Sequence, residues 1–119
     1  MESTKSIGVK GEERAVLYLK EKGYEIIQRN WRTRTGEVDI IALKESILVF
    51  VEVKTMPHGT TDTLTHILGT IKQKRIVETA KYFLLKYRQY NDSYIRFDVV
   101  VVDMPGYVPI YHLENAFSE

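Results

Sequence analysis

From Gly36 to Lys54 the chain runs through two β-branched apolar segments separated by a short polar break around Glu45 and Ser46. That pattern predicts a β-hairpin with strands near 37–43 and 47–54. Asp39, Glu52 and Lys54 are embedded in runs apolar enough to be covered on both faces, where an uncompensated carboxylate is strongly destabilising. Side-chain alternation places Glu52 and Lys54 on one face of the second strand, and Glu37 and Asp39 on one face of the first. A connection of two or four residues sets Asp39 opposite Glu52 and Glu37 opposite Lys54. An odd connection sends Asp39 and Glu52 to opposite faces. In the even register two carboxylates converge beside an ammonium, an arrangement that repels itself until a hard divalent cation of the Mg²⁺ type intervenes. On an edge hairpin the same residues would make ordinary surface ion pairs.

The rest of the chain sets bounds on this reading. Its 119 residues predict one domain, 1–119, large enough for a core without staples. A hydrophobic fraction of 44% and a charged fraction of 28% are those of a soluble globular protein rather than a disordered one. The absence of cysteine excludes disulfides and thiolate metal sites. The longest apolar run, Ile47–Val51, is far short of a membrane span, and Met1–Lys5 lacks a signal-peptide core, so a cytoplasmic protein with no membrane association is expected. A net charge of +1 provides no global attraction to a polyanion, so nucleic-acid binding has to come from a local patch.

Ile7 to Lys22 reads as an amphipathic helix stopped by Gly23, on which Glu12 and Glu13 place at least one carboxylate near the edge of the buried face or serve only as favourable charge in the first turn. Tyr24–Gln28 reads as a short strand. The following Arg29-Asn30-Trp31-Arg32-Thr33-Arg34-Thr35 reads as a basic turn, suited either to phosphate contacts or to simple solvation, with Trp31 packed on the core. A loop over Thr55–Asp62 could close over a substrate or merely connect, and His58 is its titratable group. A second amphipathic helix is expected over 70–90, with Ile76, Ala80, Phe83, Leu84 and Tyr87 inward and Lys72, Lys74, Arg75, Lys81, Lys86 and Arg88 outward. Tyr94–Asp103, with four consecutive valines, predicts a buried strand, and Val108–His112 a last one. Asp98 shares a face with Arg96 and is expected to pair with a nearby cation. Phosphate-loop, dinucleotide and serine-hydrolase signatures are absent from the sequence, and the three histidines lack zinc-site spacing.

The order helix, three strands, helix, two strands, with Asp and Glu-x-Lys on the second and third strands, resembles the PD-(D/E)XK restriction-endonuclease-like superfamily. More specifically, Gly8-x-x-Gly11-Glu12-x-x-Ala15, Arg29-Asn30-Trp31-Arg32, Gly36-Glu37-Val38-Asp39-Ile40-Ile41-Ala42, Phe50-Val51-Glu52-Val53-Lys54 and Arg96-Phe97-Asp98 resemble the YraN-like family of predicted bacterial endonucleases. The first half is also distantly similar to archaeal Holliday junction resolvases. The resemblance implies an α/β fold with a central mixed five-stranded sheet flanked by helices. It implies a nuclease acting on DNA phosphodiester bonds, with branched DNA among its substrates. Glu12, Asp39 and Glu52, with the Val53 carbonyl, would hold Mg²⁺ or Mn²⁺, and Lys54 would be the catalytic lysine. Glu37 would hold the Lys54 ammonium in place or make only a strand-end salt bridge, while Arg29, Arg32, Arg34, Lys72, Lys74 and Arg75 would flank one concave DNA-binding surface. A resolvase cutting symmetrically would be a homodimer. Two departures stand out: Val38 replaces the superfamily's proline, and Met56 stands where the family often has arginine. The alternative implied by the same residues is a non-catalytic nucleic-acid-binding or partner protein on a nuclease fold.

Overall fold

The computed structural model describes residues 3–58 and 69–118. Helix α1, Thr4–Glu21, starts where the Ser3 side chain accepts the Ser6 N–H at 3.1 Å. It stops before Gly23, whose φ of 94° suits a residue without a Cβ. Strands β1 (Glu25–Thr33), β2 (Gly36–Lys44) and β3 (Ile47–Thr55) follow, then α2 (Thr70–Lys86), a 3₁₀ turn (Arg88–Tyr90), β4 (Tyr94–Val102) and β5 (Ile110–Phe117). The five strands form one open sheet in chain order. β3 and β4 are parallel and every other pair is antiparallel. The mixed five-stranded sheet and the element order are those expected from the sequence. Among the described residues no helix is long and apolar enough to cross a membrane.

The central position of β3 explains its near-continuous apolar run. Val49 and Val51 pack with Ala15, Val16 and Leu19 of α1 on one face, while Leu48 and Phe50 pack with Ile76, Ala80 and Phe83 of α2 on the other. A strand covered by a helix on each side has no solvent face, so its hydrophobicity does not alternate.

Three boundaries differ from the sequence expectation. β1 does not end at Gln28: the basic segment continues as strand, pairing Trp31 with Val38 and Arg32 with Glu37. The expected turn contracts to Arg34 and Thr35. It is docked on α2 by a hydroxyl cluster in which Thr35 Oγ1 lies 2.8 Å from Thr33 Oγ1 and 2.9 Å from the Oγ1 of buried Thr79. β5 runs on to Phe117, which stacks on Phe97 at 5.1 Å, so the tail beyond His112 is part of the sheet. Helix α2 ends at Lys86, leaving Tyr87 as its cap. Of the loop expected over Thr55–Asp62, Thr55 closes β3, Met56–His58 follow it, and 59–62 lie outside the described residues.

Candidate metal and phosphate site

The β2–β3 connection is the two-residue Glu45-Ser46, with Glu45 at φ 56°. Pairing runs from Lys44↔Ile47 to Ile40↔Val51, the even register in which the next residues inward are Asp39 and Glu52. There the side chain takes over from the ladder: Asp39 Oδ2 accepts the Val53 N–H at 2.8 Å. Burial, then the charge of Glu52, pushes the Asp39 carboxyl up from 3.8 to about 7, against the stabilising Val53 N–H.

Glu52 is buried, and its Oε1 receives Lys72 Nζ at 2.8 Å and Lys54 Nζ at 3.5 Å. Burial and the neighbouring Lys72 lower the Lys54 ammonium below its ordinary value. Burial opposes the charge on Lys72 as well, yet its hydrogen bonds, led by the one to Glu52, hold its pKa above the ordinary value. Two carboxylates and two ammoniums thus meet at one end of the sheet. Among the described residues no group of three or more carboxylates or imidazoles is gathered into a ready cage.

These groups open into a cleft of about 510 Å³ whose walls include Lys5, Glu12, Asp39, Glu52, Lys54 and His58. Glu12 gets there because α1 lies hard against the end of β3. A methyl group on Gly11 would stand 1.8 Å from Thr55 Oγ1, so a side chain at that position would push the helix away. Within the cleft wall Glu12 accepts from Arg29 Nη2 at 3.3 Å, and Arg29 also meets Glu13 at 2.8 Å. The arginine's Nε is buried without a hydrogen-bond partner.

The structure brings Glu12, Asp39, Glu52, Val53 and Lys54 to one cleft. It separates Glu37 from Lys54: Glu37 is ion-paired with Arg32, its direct neighbour across β1–β2. The six expected basic residues also divide. Lys72 is ion-paired with Glu52 at the cleft wall, and Arg29 and Arg32 are held by glutamates. Arg34, Lys74 and Arg75 line a separate groove of about 650 Å³ between the β1–β2 turn and α2. A backbone feature accounts for part of this division. Asn30 sits at φ 53°, which breaks the strand's alternation. Arg29 accordingly meets α1, whereas Trp31, two residues on, packs edge-on against Phe83 of α2 at 5.5 Å.

Asp98 lies in a second polar cluster, away from the cleft. Fully buried, it accepts two hydrogen bonds from Arg96 at 2.9 Å, one from His112 Nε2 at 2.6 Å and one from the Asn115 N–H at 2.9 Å. Burial works to raise its pKa, but the bonds from His112 and Arg96 hold it below the usual carboxylate value. Arg96 reaches Tyr24 OH at 2.5 Å and His112 Nδ1 lies 3.2 Å from Tyr18 OH, so the cluster ties β4 and β5 to α1. The sequence pointed to the cation partner; His112 and Asn115 carried no local signal. Gly11 was visible only as part of a family motif.

Residues 11–102 match a family model described as "Uncharacterised protein family UPF0102". A UPF0102 protein of Treponema denticola is 46% identical over 96% of this chain and 96% of its own length. One of Treponema pallidum is 47% identical over 97% and 94%, and one of Alkaliphilus oremlandii 44% identical over 95% and 98%.

Proposed function

The chain belongs to the UPF0102 family, and we propose that it is a restriction-endonuclease-like, metal-dependent nuclease acting on DNA phosphodiester bonds, with branched DNA in its substrate class. The reading is carried by the convergence of Asp39 and Glu52 with Lys54 at one cleft, reached through the broken end of the β2–β3 ladder. A carboxyl pushed to about 7 by burial and a neighbouring carboxylate is a group that a hard cation would relieve, and two carboxylates form a donor set suited to Mg²⁺ or Mn²⁺.

Asp39 and Glu52 would hold the ion, with the Val53 carbonyl and Glu12 as further oxygen donors, directly or through water. When bound, the ion supplies an activated water and polarises the scissile phosphate. Lys54, on the same strand face as Glu52, donates from Nζ to a phosphate oxygen and offsets the negative charge that builds there. Its lowered pKa also eases proton transfer at Nζ. Lys72 has to leave Glu52 Oε1 for that oxygen to bind a metal, and is then free for phosphate. A protein that nicks both strands of a junction symmetrically would work as a pair of copies.

Calorimetric titration with Mn²⁺, beside a cleavage panel of linear, flapped and four-way DNA, tests this. Mn²⁺ binding that disappears in Asp39→Asn, with cleavage abolished in a folded Lys54→Ala, is the expected result. A second reading has its own support: Glu52 is already neutralised by Lys72, and Glu12 by Arg29. In that reading the domain binds nucleic acid without cutting. Absence of Mn²⁺ binding with retained DNA affinity selects it.

A further inference from the structure

Helix α2 has a solvent-facing stripe that the cleft does not use. Ile71, Tyr82 and Leu85 are large apolar side chains left 69%, 49% and 66% exposed. At 3.6 residues per turn, Ile71, Arg75, Glu78, Tyr82 and Leu85 fall on one side of the helix. That side faces the β1–β2 hairpin across two adjoining grooves that share Thr33 and Arg34. One is the cationic groove at Arg34, Lys74 and Arg75. The other, of about 610 Å³, is bounded by Trp31, Arg34, Tyr82, Leu85 and Lys86.

The charge of the two grooves is predominantly positive. Arg34, Lys74 and Arg75 have no acidic partner among the described residues, and Lys86 lies over the Trp31 ring at 5.3 Å. Glu78, the acid in this region, is matched by Lys81 at 3.3 Å. Trp31 is held in place from behind by Phe83 and Tyr87, so the wall it provides is rigid.

We propose that this double groove binds an unpaired nucleic-acid strand leading to or from the cleft, with phosphates on Arg34, Lys74, Arg75 and Lys86 and bases against Tyr82 and Leu85. The inference rests on the nucleic-acid reading of the cleft and specifies its substrate class. Duplex DNA presents phosphates to such a surface but keeps its base faces stacked on one another. Exposed aromatic and apolar side chains set among cations match a strand whose base faces are free. The position is right for continuity. The Arg34-Thr35 turn lies at the same end of the sheet as Asp39, and Lys72, on the first turn of α2, reaches Glu52. From Lys72 to Lys86 the helix rises on the order of 20 Å, about six nucleotides of a stacked strand at ~3.4 Å each.

Fluorescence anisotropy with a labelled oligo-dT strand and a duplex of equal length, in EDTA, tests the groove without any metal. The Tyr82→Ala/Leu85→Ala double variant should lose on the order of tenfold in single-strand affinity and keep its duplex affinity, whereas Tyr82→Phe, which retains the ring, should bind normally. Arg34→Ala/Arg75→Ala should weaken single-strand binding and flatten its salt dependence. Unchanged single-strand affinity in the double alanine variant overturns the proposal. So does wild-type protein that binds duplex as tightly as the strand, or a loss of self-association in the double variant, which would make the stripe a contact between copies. Mn²⁺ titration of the same proteins reads the cleft separately. Strand binding without Mn²⁺ binding would leave the groove standing and remove the nuclease reading.

Discussion

Replacing Asp39 by Asn should stabilise the protein at neutral and alkaline pH and do nothing for it in acid. Asp39 holds its proton up to about 7 in the fold, against 3.8 for the free group. Between those values the folded state binds more protons than the unfolded one, so stability falls as pH rises through the window and levels off above 7. The interval is worth about 4 kcal/mol at ~1.36 kcal/mol per pH unit. Relaxation around the ionised carboxylate lowers that ceiling, and about 2 kcal/mol is a realistic gain for Asp39→Asn at pH 8. The amide oxygen can still accept the Val53 N–H, so the strand end keeps its hydrogen bond. For a chain of this length that gain corresponds to roughly 8 °C in Tm. Thermal unfolding of both proteins at pH 4, 5.5 and 8 in EDTA should show curves that coincide in acid and diverge above it. EDTA is required because a bound divalent cation favours the ionised carboxylate and reverses the sign. A variant that is less stable at pH 8, or offset equally at every pH, would refute the reasoning.

Three further perturbations probe other parts of the structure. Gly11→Ala places a methyl 1.8 Å from Thr55 Oγ1 and should destabilise by about 1–3 kcal/mol in urea unfolding; adding Thr55→Ala should recover most of the loss, because it removes the clashing oxygen. Asp98→Ala strands the partly buried Arg96 and His112 and should cost about 3–5 kcal/mol. Because the folded pKa of Asp98 is lowered, that contribution is present in the wild type above 3.8 and fades as pH falls through the folded value, so the gap between the two proteins should narrow in acid. Lys72→Met removes the ammonium on Glu52 and should tighten Mn²⁺ binding in calorimetry while lowering stability in EDTA; weaker Mn²⁺ binding would show that Lys72 supports the site rather than occupying it.

Each step from sequence to site has a definable range. The hairpin and its facing carboxylates were legible because both depend on local rules. Alternation with a period of two fixes which residues share a face, and of the connections the sequence left open the structure has the two-residue one, whose register brings Asp39 and Glu52 together. The β-branched runs of β3 and β4 likewise announced strands covered on both sides. Lys72 on Glu52 was not legible as a contact, since it joins residues 20 positions apart through the placement of α2 over the sheet. Glu37 went to Arg32 rather than Lys54 because the unexpected extension of β1 supplied a nearer partner. The left-handed conformation of Asn30 was not read from the sequence; it accompanies the packing of Arg29 on α1 and Trp31 on α2. The sequence by itself determined the order of the elements and which residues share a strand face, because each is settled within one strand or one helix. Which cations neutralise the acids of the cleft, how closely α1 approaches at Gly11 and which basic residues line the second groove were decided by the tertiary structure, because they depend on how separate elements, each already formed, pack against the same sheet.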